Sequence, residues 1–161
     1  GQYLHDDVHV EHHSDFCIGV AGYPEKHLEA PSLQTDLKRL KEKVDAGADY
    51  VVTQMFFDNQ KYFAFVEAAK KAGIHVPIIP GIKPIAVKRH MQLLPQVFKI
   101  DLPETLINEV ENCKSNKDVR QVGIEWAIQQ SKELLAAGVP VLHYYSMGKS
   151  DNVQAIATEL F

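Results

Sequence analysis

The sequence predicts an α/β protein with a parallel sheet, and two observations carry that prediction. Continuously apolar runs at residues 17–23 (CIGVAGY), 50–57 (YVVTQMFF), 76–82 (VPIIPGI) and 139–145 (VPVLHYY) read as strands buried on both faces. The stretches between them carry apolar residues at helical spacing, and strands joined by helical crossovers pair in parallel. At 161 residues the chain suits one domain, or a piece of a larger one.

Residues 1–14 differ from the rest. They hold His5, His9, His12 and His13 with Asp6, Asp7 and Glu11, show no apolar period, and read as a flexible His-rich connection. His5/His9 and His9/His13 have a spacing that a helix could turn into a metal pair. Without helical patterning, adventitious metal binding explains them as well. Ser32 opens a helix to about Ala46, with Leu33, Leu37, Leu40 and Val44 in one stripe and Gly47 just past its end. After the second strand, Asp58 or Asn59 caps a helix carrying Tyr62, Phe63, Phe65, Val66 and Ala69 that ends at Gly73. Pro77 and Pro80 restrict how the third strand pairs. A short helix at about residues 87–94 follows, then one introduced by Pro103 as its first residue. Ser115 or Asn116 starts a long helix to about Ala137, and residues 152–160 form the last one. The long helix has two apolar stripes. Val119, Val122, Trp126, Ala127 and Leu134 form the first, while Ile124, Ile128 and Leu135 point to a subunit contact unless a neighbouring helix covers them. Two closures fit these units: a small doubly wound sheet, or part of a TIM barrel, which has eight strands and about 250 residues.

Composition narrows the function. With 45% hydrophobic and 24% charged residues the chain is of ordinary globular type, and a net charge of -4 argues against a nucleic-acid surface. No apolar run approaches the roughly 20 residues that cross a bilayer, so no membrane partner is expected. Cys17 and Cys113 form no CxxC pair and read as reduced thiols of a cytoplasmic protein. Walker, dinucleotide-fingerprint and nucleophile-elbow motifs are missing from the sequence.

In either closure, ligands bind at the carboxyl ends of the strands. The segments there, YPEKH at 23–27, TQMFF at 53–57, PGIKP at 80–84 and HYYSMGK at 143–149, are rich in polar and aromatic side chains, beyond what turns require. Gln54 interrupts an apolar strand. It is either an amide satisfied by nearby backbone or a donor–acceptor pair for a heterocyclic ligand edge. Asp36, Arg39 and Lys43 lie along one flank of the first helix, as a solvated set of charge pairs or as a rail for an anionic or ribose-bearing cofactor.

Together, VAGYPEKHLEA at 20–30, DLKRLKEKVDAGADYVVTQMFFD at 36–58, IIPGIKPI at 78–85 and VPVLHYYSM at 139–147 resemble the methylenetetrahydrofolate reductase family, in order and with its spacing. That resemblance implies a flavin-dependent (βα)8 TIM barrel, of which residues 15–161 would be the C-terminal half with about four βα units. It implies FAD as cofactor and NAD(P)H as co-substrate. The reaction would be reduction of 5,10-methylenetetrahydrofolate to 5-methyltetrahydrofolate, in one-carbon metabolism and methionine biosynthesis. By the same resemblance Tyr23, His27 and Ala30 match a flavin-contacting loop, and Asp36, Arg39 and Lys43 match flavin-contact positions of the next helix. Gln54, His90, Tyr145 and Lys149 match positions on the folate and nicotinamide side, with Lys149 where many members carry Arg. No residue is assigned to a metal or to the catalytic acid, which the family carries on its first strand. The chain alone is therefore expected to be inactive and to self-associate as a homo-oligomer. The alternative function is a non-catalytic FAD-binding or assembly half-barrel.

Overall fold

A computed structural model describes residues 16–148 and 150–161. The His-rich connection at 1–14 and Lys149 lie outside the described residues. The elements are β1 (Gly19–Gly22), α1 (Leu33–Asp45), β2 (Tyr50–Thr53), α2 (Asn59–Lys71), β3 (Ile78–Ile79), β4 (Gly81–Ile82), α3 (His90–Phe98), α4 (Glu104–Asn112), α5 (Asn116–Ala136), β5 (His143–Tyr144) and α6 (Asp151–Leu160).

Every strand pairing is parallel, as continuous apolar strands joined by helices demand. Gly19 to Gly22 pair with Tyr50 to Thr53, and Val51 and Val52 pair with Ile78 and Ile79. Pro80, with no N–H to give, splits the third predicted strand into β3 and β4. Beyond it Gly81 pairs with His143 and Ile82 with Tyr144, so one ribbon serves β2 on one side and β5 on the other. The Gly81 N–H donates to the Thr53 hydroxyl at 2.9 Å, which bridges the two halves of the sheet. Only glycine fits there, because a Cβ would collide with the Thr53 carbonyl and the Tyr145 ring.

Three apolar clusters hold helices on this sheet. Leu37, Leu40, Val51, Phe65, Ala69 and Ile74 join α1 and α2 to β2. Phe56, Tyr62, Ile82, Ala127, Leu134 and Ile156 join α2, α5 and α6. Met55, Phe57, Ile85, Leu94, Ile100, Leu106, Val110 and Val119 gather α3, α4 and α5 beneath the loops after β2 and β4. The caps follow the sequence. Ser32 and Asp58 accept from Thr35 and Gln60, and Ser115 forms a reciprocal capping box with Asp118.

Several expectations need correction. The first strand is not buried on both faces: Gly19 and Ala21 are exposed and Val20 is half-buried. Among the described residues β1 pairs only with β2, so its far side stays open. The second strand stops at Thr53, because residues 54–57 turn away into the core, and the last strand keeps only His143 and Tyr144. Helix α3 starts at His90, later than expected, and passes through Pro95 to Phe98. Packing of Met91, Leu94 and Phe98 on the third cluster outweighs the hydrogen bond that Pro95 cannot make. Pro103 is the residue before helix α4, not its first. The second stripe of α5 also has its cover within the chain. Ile124 and Ile128 pack on the cluster that contains Ile156, flanked by the ion pairs Arg120–Asp151 and Lys132–Glu159.

Candidate functional site

The loops at the carboxyl ends of the strands form one rim. After β1 the chain closes a turn, with Lys26 N–H on the Tyr23 carbonyl at 3.1 Å and Lys26 in the left-handed region. The Tyr23 and His27 rings meet edge to face, 4.6 Å between centroids. His27 N–H donates to Asp36 Oδ2 at 2.8 Å, and Ala30, buried, donates to the His27 carbonyl at 3.0 Å. The loop is thereby clamped to the first turn of α1. His27 Nδ1 accepts from Glu29 N–H at 3.2 Å, which in the neutral ring leaves the proton on Nε2.

Gln54 follows β2 and is half-buried. Its N–H continues the ladder to the Gly22 carbonyl at 2.8 Å, and its Oε1 accepts from Met55 N–H at 3.0 Å. The backbone reading of this amide is met in part. Its oxygen is held by local backbone, and its NH₂ has no hydrogen-bond partner among the described residues. Tyr145 reaches across the rim and donates from its hydroxyl to the Thr53 carbonyl at 2.9 Å, next to Gln54 in the chain. Burial, then the nearby Tyr23 phenol, push the Tyr145 hydroxyl above the usual tyrosine range.

On the far side of Tyr145, His90 begins α3 and accepts Ala86 N–H on Nδ1 at 3.2 Å. Burial, then the charge of Lys83, hold His90 below the ordinary histidine value. His90, Lys83 and Tyr145 line a cavity of about 470 Å³ with the first turn of α5. Arg39 and Lys43 stay on the exposed flank of α1, away from the loop that Asp36 clamps, and make no ion pair among the described residues.

The structure therefore gathers Tyr23, His27, Ala30 and Asp36 in one cluster, and brings Gln54 and Tyr145 to one stretch of rim. It sets His90 beyond them. Sequence reasoning missed two groups. Lys83 is a charge between Ile82 and Pro84 in an apolar run, and that placement was its signal. Glu25 accepts from Lys61 Nζ and from Asp101 N–H, the latter at 3.0 Å, and so anchors the first rim loop to α2. Burial outweighs Lys61 and raises the Glu25 carboxyl, whose second oxygen is buried without a partner. Nothing local in the sequence signals contacts of such long range.

A parallel βα sheet with a polar, aromatic rim at its carboxyl edge is the arrangement of a partial (βα)8 barrel. The methylenetetrahydrofolate reductase family model matches residues 2–160, and the chain belongs to that family. Methylenetetrahydrofolate reductase 1 of Schizosaccharomyces pombe is 34% identical over 154 residues, covering 95% of this chain and 26% of the relative. The 5,10-methylenetetrahydrofolate reductase of Salmonella typhimurium is 37% identical over 148 residues, covering 91% of this chain and 50% of its own. The chain thus spans half or less of these relatives. A solved structure shares the fold, with a TM-score of 0.56 and 22% identity, covering 89% of this chain and 52% of its own. It is described as an uncharacterized protein from Clostridium thermocellum that binds two copies of 5-methyl-5,6,7,8-tetrahydrofolic acid.

Proposed function

We propose that this chain is the C-terminal half of the catalytic barrel of an FAD-dependent oxidoreductase that reduces 5,10-methylenetetrahydrofolate to 5-methyltetrahydrofolate with NAD(P)H. The observation that carries this reading is the rim itself, in a chain of this family. It joins a clamped Tyr23–His27 loop, Gln54 with an amide NH₂ unpartnered among the described residues, and Tyr145 bonded to the Thr53 carbonyl next in the chain. The folate bound by the Clostridium thermocellum protein and the reductase names of the relatives support the same substrate.

The residues present fit the cofactor. Asp36 uses one carboxylate oxygen on His27 and keeps the other for a ribose hydroxyl. Arg39 and Lys43, exposed and free of ion pairs among the described residues, suit a diphosphate. When bound, FAD supplies hydride relay from the nicotinamide to the folate. Gln54 NH₂ then orients a heterocycle over the rim, and the Tyr145 ring closes the side of that site. His90 and Lys149 serve the outer end of the folate.

Asp36 is held by His27, and Glu25 by Lys61 and Asp101, so neither of these two is assigned as the general acid. Such an acid contributes about 10²–10⁴-fold, so the 161 residues alone are expected to show no measurable turnover. FAD titration followed by absorbance, with turnover of methylenetetrahydrofolate measured in parallel, tests the reading. Weak flavin binding without turnover is expected. A chain that FAD cannot titrate overturns the flavin assignment, and turnover by the chain alone overturns the missing acid.

A further inference from the structure

Lys83 breaks an ordinary rule of burial. It is 6% exposed, whereas lysines are almost never buried without a partner. Its ammonium carries three donors and makes one long hydrogen bond, 3.3 Å to the Pro84 carbonyl. It has no carboxylate partner among the described residues. The cavity it lines also holds Lys117 and Arg120. Asp151 neutralises Arg120 and lines the cavity as well, which leaves Lys83 and Lys117 uncompensated. In the neutral His90 ring, Nδ1 accepts from Ala86, so Nε2–H is one more donor. The first turn of α5 adds the positive end of a long helix. Beside the Asp151 carboxylate, one acceptor on the same cavity's wall, Asn152 Oδ1, is buried without a partner.

We propose that this cavity is an anion subsite, with Lys83 as its buried cation, for a dianionic end group that carries an N–H or O–H beside its charged oxygens. Burial holds the Lys83 ammonium below the ordinary lysine value, so an arriving anion restores charge balance where water cannot. The subsite rests on the geometry, and only the choice of ligand rests on the function proposed above. Two ligands of that reading carry such an end: the glutamyl carboxylates of a folate beside their amide N–H, and the ribose phosphate of NADPH beside its free hydroxyl.

Calorimetric titration of the full 161-residue chain tests this, with N-(4-aminobenzoyl)-L-glutamate and 2′-AMP as probes. Saturable binding of one probe is expected, weakened about tenfold or more by Lys83→Met and largely kept by Lys83→Arg. The probe that binds identifies the source. Lys83→Met should fold, since an apolar residue in place of a lone buried charge is neutral or stabilising, and its melting temperature checks this. Binding of neither probe, binding indifferent to Lys83→Met, or a steep fall in melting temperature overturns the subsite. If 5-methyltetrahydrofolate binds equally with and without Lys83 and 2′-AMP shows no Lys83-dependent binding, the folate reading stands and the subsite falls. If a probe binds in a Lys83-dependent way and 5-methyltetrahydrofolate does not bind, the subsite stands and the folate reading falls.

Discussion

Gln54 and His90 show how single residues divide the rim. In the whole reductase of which this chain is the proposed half, Gln54→Ala should impair folate and nicotinamide use while flavin content stays nearly unchanged. Its NH₂ has no hydrogen-bond partner among the described residues, whereas the proposed flavin grips are Tyr23, His27, Asp36 and Lys43. Loss of one or two hydrogen bonds to a bound heterocycle costs about 1–3 kcal/mol. Steady-state kinetics beside the flavin spectrum checks it, and an apoprotein with normal kinetics after FAD addition refutes it. His90 gives a pH signature. Its folded value lies below the ordinary 6.5, so in acid the unfolded chain binds the proton first. The stability that neutral His90 contributes is complete above that ordinary value and is lost as pH falls through it toward the folded value. His90→Gln should therefore lose less stability than the parent between neutral and acidic pH. Urea unfolding at the two pH values measures the difference, and equal losses exclude it.

At the scale of elements, α5 shows packing overruling propensity. Gly123 lies in mid-helix, where alanine ordinarily stabilises by about 1 kcal/mol. Here a Cβ would collide with the backbone of Ile85, in the segment that leads from β4 toward α3. Gly123→Ala should thus destabilise by about 1–3 kcal/mol, as overpacking does. Thermal unfolding decides the sign, and a gain in melting temperature would mean that the helix moves away without cost. In the same helix two residues of the second apolar stripe, Ile124 and Ile128, meet the cluster around Ile156.

The whole molecule carries open edges. Among the described residues β1 pairs only with β2 and β5 only with β4, and exposed Phe16, Ile18 and Val141 flank those edges. Unpaired strand N–H and C=O groups beside apolar side chains invite another chain. The 161-residue chain should self-associate, most simply as a twofold dimer in which each half covers the other's sheet. Sedimentation velocity checks this, and a well-folded monomer at micromolar concentration rules it out.

Much of this was determined by the sequence alone, because its signals are local. Caps at Ser32, Asp58 and Ser115, the leucine stripe of α1 and the parallel order all follow from spacing and turn chemistry among near neighbours. The motifs of the rim carried the family for the same reason. Tertiary structure decided what depends on distant partners. The open face of β1 comes from which strands lie beside it, and the passage of α3 through Pro95 comes from the core beneath it. Glu25 acquired its role from Lys61 and Asp101, remote in the chain. Lys83 stands out through burial without a counter-charge among the described residues, a property of the space around a residue rather than of its neighbours in sequence.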